Sequence, residues 1–425
     1  MNWRQYNSAT MDCQNKTAVV IGAGLVGCSC ALWLQKKGFE VVLVDPAEPG
    51  SGTSSGNACT IAEYACVPIN SPDLFRRLPS LILSRESPLS LDPVYTLTHP
   101  MWTIKFLLNC REEKVARIIR LLAKFVGKTW EGLDPLLDMA NARDLLAKNG
   151  FMHVYVDQQD FDKAWPANQA RRDQGIDFTE LDTTEIRELE PNLKLPFQKG
   201  LLFDGITQVL DPQALCRRYI NCFLRNQGKL IRQRAVEVWH GIDAVQVRLD
   251  NGERLDTHRI VVAAGAFSKG IDGIPMQLMP LNTERGYHIQ FSNQQHLVSR
   301  PVSWQNAGFY AVPTKLGLRF AGTVEIAGTQ KPVNQRNIDY LNRKAHEMFE
   351  LPVEHDSEWL GFRPTLPDAL PVIGYSTVSE YILFAFGHQH IGLTTSGITG
   401  KLIAELANGE EPSHNIKPFS PRRFL

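Results

Sequence analysis

The sequence is 425 residues long, which is enough for two domains with complete hydrophobic cores. Lys and Arg together number 45, as do Asp and Glu, so the charge balance does not indicate nucleic acid or another strongly charged partner. No apolar run reaches the length of a membrane span, and no Cys/His cluster has the spacing of a metal site. These features favour a cytoplasmic protein with reduced thiols and no bound metal.

The chain begins with polar residues, and 1–15 are predicted to form a leader without regular structure before the first strand. These residues lack the apolar core of a secretory signal. An apolar strand is predicted from residue 17, followed by a helix and a second apolar strand. Gly22, Gly24 and Gly27 fill the pattern G-x-G-x-x-G directly after the first strand. In this pattern the glycines allow a tight turn, close approach of backbone to a pyrophosphate, and close packing of the helix on the strand.

Asp45 ends the second strand at the spacing typical of a carboxylate that binds the adenosine ribose. The diphosphate would lie at the N-terminus of the helix, where the helix dipole favours an anion. We therefore predict a dinucleotide site, with a purely structural glycine turn as the alternative. The motif alone leaves open whether the dinucleotide is FAD or NAD.

Residues 46–68 are rich in Gly, Ser and Pro, which predicts a loop that either borders the cofactor or is a plain linker. Residues 69–150 are helical in character. Between Lys105 and Lys128, seven basic residues oppose two acidic ones. A basic amphipathic helix is typical of a membrane surface, but more often of a helix packed on a core, and we favour the core. Its apolar face is predicted to consist of Val115, Ile118, Ile119, Leu122, Phe125 and Val126.

The remaining chain alternates strands with a few helices. Asp211 is predicted to cap a helix that runs to Leu224, and a strand meander with an Asn251-Gly252 turn follows. Further strands are predicted within 281–328, then a helix over 335–350, a buried strand near 382, and a glycine-rich turn into a last helix. The final residues, 417–425, are predicted to be polar coil.

Taken together, these motifs resemble the superfamily of FAD-dependent D-amino-acid oxidases and dehydrogenases, and within it the small subunit of D-amino-acid dehydrogenase. The resemblance covers nearly the whole chain from Thr17. Besides the glycine motif with Asp45, it rests on SSGNA (54–58), VVAAGAFS (261–268), RGYH (285–288), LRFAGTVEIAG (318–328), GFRPTLPDALPVIG (361–374) and FGHQHIGLT (386–394).

The resemblance implies an α/β fold in which a Rossmann-like, glutathione-reductase-type FAD-binding domain joins a mixed-sheet α+β substrate domain. The implied FAD-binding segments are 16–68, 205–275 and 355–425, and the implied substrate segments are 69–204 and 276–354. No cysteine lies in the C-terminal glycine turn, where sarcosine-oxidase relatives attach flavin, so we expect FAD to be held non-covalently. The implied cofactor-binding residues are Gly22, Gly24, Gly27, Asp45, Ser54, Asn57, Ala58, Val236, Ala264, Gly265, Gly387, Gly392 and Thr394.

Three residues have implied roles in the reaction. Arg363 matches the family arginine that binds the substrate carboxylate, a task suited to the planar fork of a guanidinium. Tyr310 matches a tyrosine whose hydroxyl binds the same carboxylate, and His388 lies in a turn beside the flavin. The alternatives are a loop salt bridge for Arg363, a core aromatic for Tyr310 and a structural role for His388. His390 departs from the family, which commonly has a small residue or glycine there, and Cys59 departs from it at a position where a glycine is usual.

The implied reaction is oxidation of a D-amino acid, by hydride transfer from Cα to flavin N5, to an imino acid that water hydrolyses to a 2-oxo acid. D-Proline or D-hydroxyproline is the favoured substrate. The alternatives are a glycine- or sarcosine-type amine oxidase, an NAD-dependent dehydrogenase, and a flavin-binding partner subunit without activity of its own. The electron acceptor is expected to be a quinone, a partner protein or dioxygen, with peripheral association at the inner face of the cytoplasmic membrane as the alternative to a purely cytoplasmic location.

Overall fold

The computed structural model describes residues 16–72, 88–241 and 245–425, so the predicted leader at 1–15 lies outside the described residues. The described strands are β1 Thr17–Ile21, β2 Glu40–Val44, β3 Thr60–Ile61, β4 Leu89–Leu91, β5 Leu146–Ala147, β6 Phe151–Tyr155, β7 Thr179–Leu181, β8 Lys199–Phe203, β9 Thr207–Val209, β10 Lys229–Ile231, β11 Ala235–His240, β12 Val245–Leu249, β13 Arg254–Thr257, β14 Arg259–Val262, β15 Asn282–Phe291, β16 Val302–Trp304, β17 Phe309–Thr314, β18 Gly317–Ile326, β19 Ser357–Thr365, β20 Val372–Tyr375 and β21 Ile382–Phe386. The described α-helices are α1 Leu25–Lys36, α2 Pro93–Thr98, α3 Pro100–Leu108, α4 Glu112–Val126, α5 Thr129–Met139, α6 Gln158–Arg172, α7 Thr183–Leu189, α8 Pro212–Arg225, α9 Gln335–Met348 and α10 Gly392–Ala407.

The first of two large sheets has six strands in the order β10-β2-β1-β14-β21-β20. All neighbours are parallel except β20, which runs antiparallel to β21. The predicted strand, helix and second strand appear as β1, α1 and β2, with Val19 of β1 opposite both Val42 and Ile260. Because the carboxyl ends of parallel strands meet at one edge, the turns after β1, β2, β14 and β21 lie together there.

Two layers cover this sheet. Helices α1, α8 and α10, with α4 and α5 outside them, form one continuous apolar core on one face. The antiparallel sheet β11–β13, which includes the predicted Asn251-Gly252 turn, forms a second core against the other face. All six apolar residues predicted for one face of α4 are buried, so the prediction that this helix packs on a core is confirmed.

The second large sheet has nine strands in the order β19-β15-β18-β17-β16-β6-β8-β7, with β4 paired to the end of β18. It is mixed, since β6–β16 and β4–β18 are parallel and the other pairs are antiparallel. Helix α9 packs on one face of this sheet. The other face turns toward the six-stranded sheet and carries the side chains described below.

The predicted division into two domains stays a prediction, and strand pairing bears on one boundary. β19 was assigned to the FAD-binding segment 355–425, but it pairs with β15 along its whole length in the nine-stranded sheet. By this criterion the chain returns to the six-stranded sheet only after Thr365. Helices α4 and α5 were assigned to the substrate segment, yet they share a core with α1 and α10.

The prediction that 417–425 is polar coil is wrong. This stretch forms two short 3-10 turns, and the ring of Phe419 is buried against Phe125 with 4.7 Å between the ring centroids. Arg423 forms an ion pair with Asp368 at 2.7 Å. One buried aromatic ring and one ion pair therefore pack residues 417–425 against the rest of the protein, although their composition is mostly polar.

Candidate active site

The glycine turn after β1 is shaped by contacts too close for any side chain. Gly22 has φ +108, and a Cβ on it would lie 2.5 Å from the carbonyl oxygen of Ala263 at the end of β14. A Cβ on Gly27 would lie 1.8 Å from the carbonyl oxygen of Gly22. Gly24 begins α1 and has no side chain with which to cap it. Because Gly24 carries no side chain and is only half-buried, an anion such as a dinucleotide pyrophosphate can approach the N-terminus of α1 at this position.

Asp45 holds this turn from the neighbouring strand. Its Oδ2 accepts a hydrogen bond from the amide of Ala23 (2.7 Å), and its Oδ1 accepts one from the amide of Ala47 (2.8 Å). The carboxylate thus supports both the glycine turn and the loop after β2. Its predicted contact with ribose stays a prediction.

The loop at 54–59 sits on the same helix terminus. Ser54 Oγ accepts a hydrogen bond from the amide of Leu25 (3.0 Å), and Asn57 closes the loop through Oδ1, which accepts from the amide of Cys59 (2.8 Å). Ala58 is half-buried between them. Cys59 has φ +58, a backbone conformation that costs a non-glycine residue roughly 1 kcal/mol. This conformation explains why a glycine is usual at the position.

Arg319 of β18 clamps the loop from the nine-stranded sheet. Its Nη1 donates to the carbonyl oxygens of Ser55 (2.8 Å) and Asn57 (3.1 Å), and it lies 3.5 Å from Cys59 Sγ. The guanidinium is buried, so these hydrogen bonds are shielded from water. Sequence analysis did not assign Arg319 a role, although it lies inside the LRFAG motif.

A stacked pair of rings supports the same loop. His288 Nδ1 lies 3.2 Å from the carbonyl oxygen of Gly56, and its ring stacks on Trp359 with 5.0 Å between centroids. A Cβ on Gly56 would lie 2.3 Å from the Trp359 ring. Burial first, and then the charge of Arg319, lower the pKa of His288 to about 3, so the ring is neutral at physiological pH.

The other predicted cofactor residues also lie where loops meet sheets. Thr394 Oγ1, at the start of α10, accepts a hydrogen bond from the amide of Ala62 (2.8 Å). The remaining positions are distributed as follows: Ala264 and Gly265 follow β14, Gly387 follows β21, and Gly392 begins α10. Val236 lies apart from them at a bulge of β11, in the layer on the other face of the six-stranded sheet.

One face of the nine-stranded sheet carries polar side chains from strands far apart in sequence. Strand pairing puts Tyr310 beside Ala321, Ala321 beside His288, and His288 beside Trp359. Side chains an even number of residues apart along a strand point to the same face, so these pairings place one set of polar side chains together on this face. It consists of Glu284, His288, Tyr310, Arg319, Trp359 and Arg363.

Arg363 is half-buried on this face, with its guanidinium directly above Gly286. A Cβ at Gly286 would lie 2.4 Å from Arg363 Cζ, so glycine makes the room that the guanidinium occupies. Nη1 donates to the carbonyl oxygen of Thr323 (3.1 Å), a residue with φ +56. Burial lowers the pKa of Arg363, and the nearby Glu284 and Tyr310 oppose that effect.

Glu284 lies directly opposite Arg363 in the β15–β19 pair and is 3% exposed. Its Oε2 has no hydrogen-bond partner among the described residues. Burial raises the pKa of Glu284 to about 7, while Arg363 and the hydroxyl of Thr365 act in the other direction. The charge beside Arg363 is therefore sensitive to pH near neutrality.

Tyr310 combines a core contact with a polar one. Its ring lies 5.7 Å from that of Phe151 and stacks on it, as the core-aromatic alternative predicts. Its hydroxyl lies near those of Tyr64 and Ser303. Burial raises the pKa of Tyr310, so the hydroxyl keeps its proton and can donate a hydrogen bond to a carboxylate.

Arg171 is a second arginine beside these groups, at the end of α6. Its Nε donates to the carbonyl oxygen of Tyr64 (3.2 Å), and its Nη1 donates to Asn168 Oδ1 (2.8 Å). Its positive charge lowers the pKa of Tyr310 more than that of Arg363 does. No motif marks Arg171, and its proximity depends on how α6 packs.

The two histidines of the C-terminal turn have different surroundings. His388 is buried, its Nε2 lies 3.0 Å from Thr399 Oγ1 in α10, and burial lowers its pKa to about 3. These contacts fit a neutral, structural ring, and the predicted catalytic role stays a prediction. The protein packed around His390, and then the charges of Arg363 and Arg171, lower its pKa to about 4, although part of the ring is exposed to solvent. The departure from the family at His390 thus places a neutral ring near both arginines.

Within the described residues, no group of His, Cys, Asp and Glu side chains could hold a metal ion. No described helix has the length and apolar character needed to cross a membrane. The glycine turn, the loop at 54–59 and the accessible N-terminus of α1 fit a dinucleotide.

Comparison with known proteins agrees with this geometry. The family described as FAD dependent oxidoreductase (DAO) matches residues 17–406. A D-amino-acid oxidase of Bradyrhizobium diazoefficiens is 33% identical over 97% of this chain and 100% of its own length. A D-amino acid dehydrogenase of Helicobacter pylori is 25% identical over 95% of this chain and 98% of its own length.

Solved structures share the fold. Glycine oxidase from Geobacillus kaustophilus superposes with a TM-score of 0.72 at 19% identity, over 97% of this chain and 100% of that one. L-proline dehydrogenase from P. horikoshii superposes with a TM-score of 0.68 at 16% identity, over 96% of this chain and 98% of that one. These likenesses confirm the expected α/β fold, in which a Rossmann-like cofactor domain adjoins a mixed sheet.

Proposed function

The chain belongs to the family of FAD dependent oxidoreductases, and we propose that within this family it oxidises D-amino acids, with Arg363 binding the substrate carboxylate. Its cofactor is FAD, and its reaction is the oxidation of an amino acid at a CH–NH2 or CH–NH group. The observation that carries the proposal is the guanidinium of Arg363, half-buried above Gly286 and hydrogen-bonded to a carbonyl.

Arg363 and Tyr310 would fix the orientation of the substrate. The guanidinium supplies two parallel N–H groups to the carboxylate, and the hydroxyl of Tyr310 adds a third donor. With the carboxylate held at two points, Cα is directed to one side of the site, and positioning of this kind accounts for much of the rate enhancement of such reactions. FAD, when bound, supplies the electron-accepting chemistry.

The cofactor contacts are proposed for the glycine turn, Asp45, the loop at 54–59, Val236, and the turns after β14 and β21. Support for all of these except Val236 comes from their position around the carboxyl edge of the parallel strands and the N-terminus of α1. Val236 lies in the antiparallel β11–β13 layer, and its role rests on the sequence resemblance alone. We also propose that FAD is bound without a covalent bond, since residues 387–394 contain no cysteine. Acid precipitation tests this, because a non-covalent flavin stays in the supernatant.

The proposed substrate is D-proline, D-hydroxyproline or another D-amino acid. The curated relatives named as D-amino-acid oxidase and D-amino acid dehydrogenase support the D configuration, while the preference for a cyclic amine rests on the sequence resemblance alone. The proposed electron acceptor is a quinone, a partner protein or dioxygen. A cytoplasmic location, with peripheral contact to the membrane, is likewise proposed.

The test is anaerobic reduction of the purified flavoprotein by paired D- and L-amino acids, with glycine and sarcosine included. We expect the oxidised flavin band to bleach with D-substrates and to remain with their L-enantiomers. Bleaching by L-substrates, or by glycine and sarcosine alone, would overturn the D-amino-acid assignment and favour an amine oxidase of the glycine or sarcosine type. No bleaching by any of them would favour a partner subunit.

The electron acceptor is tested by admitting air to the reduced protein. Fast return of the flavin band indicates use of dioxygen. Slow return in air, with fast return after a soluble quinone is added, supports a quinone as the acceptor.

A further inference from the structure

The face of the nine-stranded sheet that carries Tyr310 continues across two further strands. Ser303 of β16 lies opposite Tyr310 on one side and opposite His153 of β6 on the other, so the three side chains share this face. Phe151 and Tyr155, which lie two residues before and after His153, share it too. The ring of Phe151 stacks on that of Tyr310 at 5.7 Å between centroids. The surroundings of Tyr310 therefore extend as far as β6.

Arg171, in the last turn of α6, is held beside this part of the face by neutral groups. Its Nε donates to the carbonyl oxygen of Tyr64 (3.2 Å), and its Nη1 donates to Asn168 Oδ1 (2.8 Å). Asn168 is 1% exposed, and its Nδ2 donates in turn to the hydroxyl of Tyr155 (3.2 Å). The ring of Tyr64 stacks on that of Phe151 at 4.6 Å between centroids. Two of the three guanidinium nitrogens thus fix the position of Arg171.

The third nitrogen of this guanidinium, Nη2, is left over. Among the residues that the structure describes, Nη2 has no hydrogen-bond partner and Arg171 forms no ion pair. Two carboxyl groups of this region are engaged elsewhere, since Glu63 accepts a hydrogen bond from Trp130 Nε1 (2.8 Å) and Glu284 lies opposite Arg363. Arg171 therefore has both a charge and a donor that can serve a bound anion.

Arg171 and Arg363 act on the same two groups. Burial raises the pKa of Tyr310, and the charges of Arg171 and then Arg363 oppose that effect. The protein packed around His390, and then the charges of Arg363 and Arg171, lower the pKa of His390 to about 4. Both arginines thus lie within electrostatic range of the hydroxyl assigned to the substrate carboxylate. A substrate held by Arg363 and Tyr310 is therefore bound beside a second guanidinium.

We propose that Arg171 binds a second carboxylate of the substrate, so that the preferred substrates are acidic D-amino acids, D-aspartate or D-glutamate. This inference rests on the proposed function, because it leaves the α-carboxylate to Arg363. It takes the place of the cyclic amine that the sequence resemblance favours, since D-proline has no second carboxylate for Nη2. Arg171 is then a residue that determines specificity.

The physical reason is the cost of covering a guanidinium N–H group. An apolar side chain of the substrate would displace water from Nη2 and leave this donor unpaired in a half-buried position, which is unfavourable. A carboxylate accepts the hydrogen bond and neutralises the charge, with a geometry that suits a guanidinium. A side-chain amide has nearly the same shape and also accepts, but it carries no charge. Comparison of an acid with its amide therefore isolates the effect of charge.

A structural role is the alternative for Arg171. Its Nε and Nη1 join α6 to the carbonyl oxygen of Tyr64, and this link requires no ligand. Loss of a purely structural arginine would weaken the reaction of an acid and of its amide alike. The ratio between the two substrates separates the roles, because both are measured on the same protein.

The experiment is anaerobic flavin reduction by stopped flow with D-glutamate and D-glutamine, D-aspartate and D-asparagine, D-proline and D-alanine. For at least one acid, we expect the rate constant at low concentration to exceed that of its amide, D-proline and D-alanine by about tenfold or more. Arg171→Gln should abolish the preference for the acid, and Arg171→Lys, which keeps the charge, should retain part of it. Arg172→Gln is the matched control, because this exposed neighbour pairs with Glu180 (3.2 Å) and should keep the wild-type ratio.

Two results of this experiment would overturn the inference. One is a wild-type protein that reacts with the amides, D-proline or D-alanine at least as fast as with both acids. The other is a preference for the acid that persists undiminished in Arg171→Gln. Neither result depends on the yield or flavin content of a variant, since only ratios within one protein are compared.

A second measurement requires no turnover. Succinate and glutarate, each compared with its monoamide, are titrated into the oxidised flavoprotein, and the change in flavin absorbance gives the dissociation constant. We expect a dicarboxylate to bind about tenfold more tightly than its monoamide or better, and Arg171→Gln to remove this difference. If no D-amino acid reduced the flavin, the proposed function would fail, whereas this difference in binding would still support a site for two carboxylates. Reduction by neutral D-amino acids without any difference in binding would overturn the inference and leave the proposed function intact.

Discussion

The glycine turn and the polar face of the nine-stranded sheet are built in different ways. The turn follows directly from one strand–helix–strand unit, β1–α1–β2, although it also packs on the end of β14, and glycines permit contacts such as that between Gly27 and the carbonyl of Gly22. The sheet face uses side chains from β15, β17, β18 and β19, which strand pairing brings into one row. The proposed cofactor site thus has a mainly local sequence signal, whereas the proposed substrate site depends on pairing between distant strands. Mutations in the glycine turn should therefore change flavin content, and mutations on the sheet face should change the affinity for substrate.

The largest effect is expected from Gly27→Val. Any side chain here meets the carbonyl oxygen of Gly22 at 1.8 Å, so α1 must move away from β1 and the pyrophosphate site is lost. We expect purified protein with less than about a tenth of the wild-type flavin absorbance. Gly52→Ala is the control, because nothing lies within 4 Å of a Cβ there. Normal flavin content in Gly27→Val would contradict this account of the turn.

Arg319→Met tests the contact between the two regions. It removes two hydrogen bonds from a buried guanidinium to the loop at 54–59, each worth roughly 1.5–3 kcal/mol. We expect FAD affinity to fall by about tenfold or more, measured by titrating apoprotein with FAD. Arg254→Met, at an exposed arginine, should leave the affinity unchanged. Unchanged affinity in Arg319→Met would mean that the clamp does not support the cofactor.

Tyr310→Phe should affect the substrate and spare the cofactor. Removing one hydroxyl donor from a carboxylate site costs about 1 kcal/mol, so we expect KM to rise about fivefold with flavin content unchanged. Steady-state kinetics with the best D-amino acid provide the measurement, and Tyr381→Phe, directly before β21 and outside the nine-stranded sheet, is the control. If KM stays constant, Tyr310 is a core aromatic only.

Glu284→Gln should alter the pH dependence rather than abolish activity. Because the pKa of Glu284 is raised to about 7, its carboxylate forms in the folded protein only near neutral pH and then partly cancels the charge of Arg363. We expect KM of the wild type to rise about two- to fivefold between pH 6 and pH 8 and that of Glu284→Gln to stay flat. Glu358→Gln, on the exposed part of β19, should behave as wild type.

The same variant tests stability. The unfolded chain ionises Glu284 near its ordinary pKa of 4.5, while the folded chain keeps the proton to about pH 7. The folded state therefore loses stability from this group as pH rises from about 4.5 to 7, by up to about 3 kcal/mol. Glu284→Gln should lack this loss, which denaturant titration at pH 5 and pH 7 would reveal. A parallel decline in both proteins would contradict the burial of the carboxyl.

These cases also indicate what the sequence could predict. The turn at Gly22 and the cap at Asp211 were predicted because each has a signal within a few residues in the sequence, and Asp45 because its spacing from the glycine motif is typical. The role of Arg363 was predicted from its motif, but its position in the nine-stranded sheet was not predicted. β19 lies in the segment 355–425 that was predicted to bind FAD, and its pairing with β15 in the nine-stranded sheet was not predicted, since no local pattern shows which strand will lie beside another.

Residues without a local signal were missed. Arg171 comes near Tyr310 only through the packing of α6, and Glu284 faces Arg363 only through the β15–β19 register. Cys59 was recognised as a departure from the family, but its left-handed backbone became apparent only in the structure. Interactions across sheets and helices therefore account for most of what sequence reasoning left out.

The most direct test of the account is the anaerobic rate of flavin reduction against D-amino-acid concentration, measured by stopped flow for wild type and Arg363→Lys. Lysine keeps the charge but loses the bidentate fork, so we predict a half-saturating concentration about 100-fold higher, with flavin content unchanged and the limiting rate within severalfold. The same half-saturating concentration in both proteins would contradict the assignment of Arg363 to the substrate carboxylate.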